Sequence, residues 1–430
     1  MVRENKKNAI VAALALLGAS AAHAQVTYEV AAGLGHSDNI SRVEEGEIDE
    51  TLASIGIDLQ WEEKTRRLEG DALVDLSYVE YLDDTYDGEI VGTAEANFDF
   101  GILPERFHWV LQDSFGQAQA DPFTPVTPGT RENINYFTTG PDFYLRFGQA
   151  MNAQLFGRYS DTRYETSPLD AQRTTLGLAV GRDLSTRSRA ALNFVADDSR
   201  FDAEGMTDYE RRSAFLSYDL DGGGRTIIHS RVGYSWLEMD GGDEDGGLLL
   251  DLSIARDLTS SSTVELALSQ EFSDAGEALT DVTGGGGGTS QITASADPFE
   301  SSEVSLSWSF NRHRTSLGAR ASYNERKYET QTDFDSERIY YSLSAGRILR
   351  PTLRFNLIAT YATEDFVNAD TETDDWTVGM TLDWDFGRNL GLRVRAERTG
   401  RSSATPGGDY LENRAFLEFT YSGDRSPSSR

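Results

Sequence analysis

Apolar and polar residues alternate along almost the whole chain, and that pattern leaves few folds open. About twenty segments, each close to ten residues, carry an apolar side chain at every second position. In 376–386, Trp376, Val378, Met380, Leu382, Trp384 and Phe386 share one face, while Asp375, Thr377, Gly379, Thr381, Asp383 and Asp385 share the other. Successive side chains of a strand point to opposite sides, so each segment has one apolar face and one wet face. A soluble sandwich would bury the apolar faces between two sheets. Repetition over some 400 residues without helices fits instead a sheet closed on itself, with lipid outside and water inside. The expected fold is all-β: a transmembrane antiparallel up-and-down β-barrel of about 20 strands (18–22).

The first 24 residues read as a secretory signal peptide. Arg3, Lys6 and Lys7 form a basic start, Ala9 to Ala19 an apolar stretch too short to cross a bilayer as a helix, and Ala22-His23-Ala24 a small-x-small cleavage site. No apolar run approaching twenty residues follows. The barrel is expected over 25–421, with a polar periplasmic tail at 422–430. A mean hydropathy of −0.46 does not count against a membrane protein, because half of each strand faces the lumen. The chain has no cysteine, which excludes disulfides and thiolate chemistry. Removing the signal's three basic residues and one acidic residue takes the net charge from −32 to about −34, and nucleic acid, whose phosphates would be repelled, is excluded as a partner.

Linkers alternate between short and long. Short ones lie near 62–66, 148–150, 221–225 and 387–389, and long ones near 36–50, 119–134, 274–299 and 399–409. Barrels of the outer membrane have short periplasmic turns and long external loops, which places both termini on the periplasmic side. Charge sorts the same way. Long linkers are acidic (Glu44 to Glu47, Asp240 to Asp245, Asp370 to Asp375), and short ones carry Lys64, Arg66, Arg187, Arg225, Arg312, Arg314, Arg347, Arg350 and Arg388. The longest linker contains the run Gly284 to Gly288 and reads as a mobile external loop rather than a lumen plug. The prolines of 121–128 stiffen their linker, which suits a constriction or a fixed surface feature.

Candidate chemistry is sparse. The four histidines after the signal, His36, His108, His229 and His313, are scattered and have no zinc-ligand spacing, so no enzyme and no cofactor is expected. Asp240, Asp243 and Asp245 are a weak calcium option that matches no EF-hand loop. Arg158, Arg231, Arg320, Arg326, Arg393 and Arg395 fall on lumen-facing positions, together with Asp71, Asp75, Asp251, Asp383 and Asp385. Opposed across the lumen they would set up a transverse field that selects solutes; paired along the wall they would form structural ladders. Trp61, Tyr78, Tyr81, Trp109, Tyr164, Trp236, Trp376 and Trp384 are expected in aromatic girdles at the two membrane interfaces.

Several stretches carry a resemblance to a known family: Glu105 to Gly116, Pro125 to Pro128, and Asn133 to Arg146, with Leu155 to Tyr159 and Arg231 to Ser235 as less distinctive pieces. Here the chain resembles β-barrel porins of the porin 2 type, and within them outer-membrane proteins associated with exosortase (PEP-CTERM) and exopolysaccharide gene clusters. The last strand, ending at Phe419 and Tyr421, resembles the aromatic-ended strand read by the barrel-assembly machinery, except that nine residues follow. The resemblance implies a bacterial outer-membrane location, with lipid and lipopolysaccharide as surroundings and exopolysaccharide as a partner. It supplies no site residues. Two functions stand as expectations: a porin-like channel for exopolysaccharide or small solutes, and a non-transporting surface barrel that anchors polymer.

Overall fold

The computed structural model describes residues 25–423 except 204, 243 and 284–291. The signal segment 1–24, the glycine run Gly284–Gly288, Asp243 and the last residues of the tail lie outside the described residues.

The wall opens with β1 (Gln25–Ser37), β2 (Glu50–Lys64), β3 (Leu68–Tyr81), β4 (Glu89–Leu103), β5 (Phe107–Gln119), β6 (Arg131–Phe147) and β7 (Met151–Tyr164). It continues through β8 (Ala171–Ser185), β9 (Ser188–Phe201), β10 (Tyr209–Asp221), β11 (Thr226–Met239), β12 (Glu244–Thr259) and β13 (Ser262–Ser273). A helix, α1 (Ala275–Thr283), and a two-residue strand, β14 (Ile292–Thr293), interrupt the meander. The wall then resumes with β15 (Phe299–Arg312), β16 (Thr315–Tyr328), β17 (Ser336–Arg350), β18 (Leu353–Phe366), β19 (Thr371–Asp385), β20 (Leu390–Ser403) and β21 (Tyr410–Gly423). Each wall strand pairs antiparallel with its neighbours, β13 with β15 across the interruption, and β1 with β21 closes the ring. Twenty strands therefore make the wall, as the alternation predicts. None of the described helices is long and apolar enough to cross a membrane.

Register puts the apolar residues outside. Leu176, Leu343 and Phe419, each more than 60% exposed, lie on the same outer face as Trp109, Trp236 and Trp384. The strands are 12 to 17 residues long, more than the roughly 9–11 needed to cross the hydrocarbon band. They therefore run on past the apolar belt with polar side chains on both faces. This shortens the expected long loops: β12 begins at Glu244 and β19 at Thr371, so much of the acidic linker sequence is strand. At the other end β21 continues through Ser422, whose amide donates to Asn389 O and whose hydroxyl donates to Glu29, so the tail starts later than expected.

Two of the aromatics assigned to the girdles turn inward. Tyr81 and Tyr164 are buried, Tyr81 donating to Glu89 and Tyr164 packing beside Leu279. Tyr78 and Tyr81 are three residues apart and cannot share a strand face. Trp61 keeps to the outer face but is buried, with the Phe98 ring 5.4 Å away. Asp113 breaks the outer pattern. It shares a face with Trp109 and Phe115 midway along β5, and accepts a hydrogen bond from Asn135 Nδ2 at 2.9 Å.

A ring of twenty strands spaced about 4.8 Å apart and tilted about 40° has a backbone diameter of about 40 Å. Side chains cannot fill that interior, so whatever crosses it comes from loops.

Candidate functional site: a lumen crossed by two segments

The longest linker enters the barrel instead of standing outside it. Its N-terminal half is α1, which starts with an aspartate N-cap. Asp274 Oδ1 accepts the Glu277 amide at 2.9 Å, while the Glu277 carboxylate turns to the wall arginines. Leu279 then points into the wall and is buried against Ala118 of β5, Ile134 of β6 and Ile292. The wall makes room with a glycine, since a Cβ on Gly116 would sit 2.8 Å from Leu279 Cδ1. The loop was expected to be external and mobile. The apolar cluster and the charges below hold its described parts, 274–283 and 292–298, inside the barrel, while the glycine run on which the expected mobility rested lies outside the described residues.

The C-terminal half of the segment repairs a gap in the sheet. β4 pairs with β5 only up to Ala94–Phe115, although its own pairing with β3 continues to Glu89. Gly92 sits at φ +116°, and a Cβ there would lie 2.0 Å from Asp75 O, so only glycine fits this bend. The last residues of β5 are left with an open edge on that side. β14 occupies it, pairing parallel through Ile292–Ala118 and Thr293–Gln119, and the Ala294 amide donates to Gln119 O at 2.9 Å.

Charge locks the helix half. Arg173 of β8 and Arg211 of β10 point into the lumen and are almost fully buried, at 6% and 13% side-chain exposure. Arg211 holds Glu277 bidentately, Nη1 to Oε2 at 2.9 Å and Nη2 to Oε1 at 2.7 Å. Arg173 ion-pairs with both Asp274 and Glu277, and the Tyr209 hydroxyl donates to Asp274 at 2.7 Å. Burial would raise the Glu277 carboxyl, but the two guanidiniums outweigh it and hold the group at about 2.

The proline-rich loop between β5 and β6 crosses the same mouth from the opposite direction. Gln119 Nε2 ties it back to Asp121 O at 2.7 Å and Thr124 O at 2.6 Å. On the far side Arg401 of β20 donates to Thr124 O at 3.0 Å while chelating Asp375, and Arg42 donates to Val126 O. The Phe123 ring lies 4.9 Å from Phe366 and 5.9 Å from Phe334. The fixed feature that the prolines suggested is a strap over the mouth.

The wall residues singled out in the sequence do line the lumen, in pairs along the wall. Arg158 meets Asp142 at 2.7 Å, Arg231 meets Asp251 at 2.7 Å, and Arg320 meets Glu303 at 3.2 Å. Arg393 bridges Asp383 at 2.8 Å and Glu29 at 2.6 Å, Arg395 meets Glu418 at 3.1 Å, and Arg354 reaches Asp385 at 3.9 Å. Arg326 lies over the Phe299 ring at 5.8 Å, Asp71 accepts from Asn97 at 3.4 Å, and Asp75 stands opposite Asp58 in register. Most of these are cross-strand ion pairs, the ladder arrangement of the two that the sequence left open, while Arg326, Asp71 and Asp75 make contacts of other kinds. The residues that hold the lumen segment, Arg173, Tyr209, Arg211, Asp274 and Glu277, were missed, although the Asp-x-x-Glu spacing before an apolar Leu279 was visible.

His108 meets Asp99 at 2.7 Å and His229 meets Asp219 at 2.9 Å, on different strands far apart in the ring. Among the described residues no group of three or more His, Cys, Asp or Glu is placed to hold a metal ion, so the Asp240 and Asp245 option finds no cluster.

The last seven strands carry the cleanest alternation and close the ring onto β1. Residues 301–422 match the family described as Putative beta-barrel porin 2. The match spans β15 to β21 and bears out the porin 2 resemblance read from the sequence. No curated protein matches the chain. Solved structures of similar shape include the siderophore receptor PirA from Pseudomonas aeruginosa (10% identity, TM-score 0.46, covering 93% of this chain and 80% of that one). Another is the FrpB iron transporter from Neisseria meningitidis (8% identity, TM-score 0.44, covering 92% and 81%). A likeness this distant says nothing about what the porin-like barrel carries. The chain is a porin-like β-barrel of the outer membrane.

Proposed function

We propose that this porin-like barrel is a gated outer-membrane channel for polar, hydroxyl-rich solutes, held shut by the lumen segment described at 274–283 and 292–298. The observation that carries the reading is the way this segment is held. Its described parts lie inside a polar lumen of about 40 Å, held by a small apolar cluster around Leu279 and Ile292, a short strand pairing with β5, hydrogen bonds from Thr330 and Gln331 to Asp297, and one cluster of ion pairs. Contacts of that kind can be broken without unfolding the wall. The turn end of the barrel, with Arg187, Arg225, Arg347 and Arg388, is assigned to the periplasm together with both termini. The acidic strand ends then face outward. Exopolysaccharide as cargo rests on the resemblance to exosortase-associated proteins.

A second reading has one observation in its favour: two segments cross the same mouth, as would suit a barrel that anchors polymer and conducts nothing. Single-channel conductance of the refolded protein separates the two. Steps that appear or grow when residues 278–296 are deleted support the channel. Silence from both proteins, with each shown to be a folded barrel by heat-modifiable gel mobility, favours the anchor.

A further inference from the structure

Arg173 and Arg211 take most of their close anionic contacts from the lumen segment. Arg173 takes from the wall only neutral oxygens, Ser199 Oγ at 2.9 Å and Tyr209 Oη at 2.7 Å. Arg211 has one wall carboxylate, Asp197, at 3.1 Å. At ion-pair distance the two buried guanidiniums share one wall anion, with Glu271 of β13 acting on Arg211 from further off and shared with Arg231, while Asp274 and Glu277 of the lumen segment supply the other close contacts. Withdrawing α1 would open these two guanidiniums to the lumen and leave a cationic site able to take a carboxylate bidentately.

A cavity of about 290 Å³ adjoins it, enclosed by α1 and the inner face of β9 to β13. One side offers the hydroxyls of Ser213 and Ser235, 2.8 Å apart, and beside them lies the ring of Phe215. Arg211 and Glu277 line the cavity together with Arg231, Asp197 and Glu271, and Arg173 reaches Glu277 from outside this lining. Hydroxyl groups beside an aromatic face suit a pyranose ring, and the arginines suit an acid on that ring.

We propose that Arg173 and Arg211, with Ser213, Ser235 and Phe215, form a binding site for a carboxylated sugar, a uronic acid unit, and that Glu277 is the built-in stand-in for its carboxylate. Arrival of such a sugar displaces Glu277 and unlatches α1. The gating half of this proposal rests on the channel reading above; the binding half does not.

The test is titration calorimetry of the refolded full-length mature protein in detergent with galacturonate, with galactose as the uncharged counterpart and with inorganic phosphate. Wild type and Glu277→Gln are compared, the latter nearly isosteric and so expected to fold. An intramolecular competitor scales the apparent affinity down to the fraction of sites it leaves free. Galacturonate should therefore bind Glu277→Gln at least about tenfold more tightly than wild type, and Arg211→Gln should abolish the gain. Equal affinity in wild type and Glu277→Gln overturns the proposal, as does equal binding of galactose. Phosphate binding as tight as galacturonate overturns the sugar assignment. Conductance of Glu277→Gln is read separately: tighter binding without added conductance keeps the site and removes the gate.

Discussion

Shortening Leu279 to alanine is the sharpest probe of how the lumen segment is seated. The side chain is 1% exposed and touches Ala118, Ile134 and Ile292 in a pocket shaped by Gly116. Leucine-to-alanine changes in well-packed sites cost about 2–5 kcal/mol. Because the pocket borders lumen water, the lower part of that range applies, about 2–3 kcal/mol. The wall should not feel this, since its strands are joined by their own ladders. The loss falls on the seating equilibrium of α1 and raises the unseated population about 30- to 150-fold, at 1.4 kcal/mol per factor of ten. Single-channel recording should show a matching rise in open probability, and limited proteolysis should cut faster between 274 and 298. Gly116→Ala provides the internal control. Its new methyl would crowd Leu279 at 2.8 Å in the wild type but would partly fill the hole left in Leu279→Ala. The double variant should therefore be better seated than the sum of the single changes. If open probability and cleavage stay at wild-type levels in Leu279→Ala while the barrel remains folded, apolar packing does not hold the segment.

Other expectations are briefer. Glu277 is depressed in the fold, so its latch is complete above the unfolded value of 4.5 and is lost as pH falls from there through about 2; conductance should be unchanged between pH 5 and 8 and rise below pH 4. Glu329 behaves in the opposite sense. Burial, aided by Asp245, Asp297, Glu300 and Asp335, raises its carboxyl to about 7, so ionising it penalises the fold increasingly from pH 4.5 to 7. Glu329→Gln should flatten the pH dependence of thermal unfolding across that window. Asn135→Ala leaves the Asp113 carboxylate without its amide on the outer wall and should cost about 1–3 kcal/mol in urea unfolding of the barrel in vesicles. Arg401, 2% exposed, chelates Asp375 and supports the strap; Arg401→Gln should loosen 120–130 to protease and destabilise by about 3–5 kcal/mol, because it strands a partly buried carboxylate. Wild-type resistance in that variant would mean that Gln119 and the Phe123 contacts suffice.

The wall was legible because its signal is local. Each strand declares its two faces within ten residues, and the count of twenty, the closure and the inward arginines all follow from that period. Errors arose where parity was not enforced, as with Tyr81 and Tyr164, or where apolar periodicity ended before the hydrogen-bond ladder did, as at Glu244 and Thr371. The lumen segment was illegible for a different reason. Its partners, Ala118, Ile134, Arg173 and Arg211, lie 60 to 180 residues away along the chain, and nothing in the linker itself points to them. Only Asp274 and Glu277 gave a local hint, and that hint specified a helix start without saying where the helix would lie.

The parallel pairing of β14 with β5 has a consequence for how such a channel could open. Residues 292–293 are a stitch as well as part of a stopper: without them β5 has unpaired backbone groups in a slit between itself and β4. A free strand edge invites pairing with another chain. Opening is therefore best served by a hinged movement in which the helix half swings clear while the strand half stays sewn into the wall. Wholesale removal of the segment would produce a wider pore and, with it, a barrel inclined to stick to its neighbours.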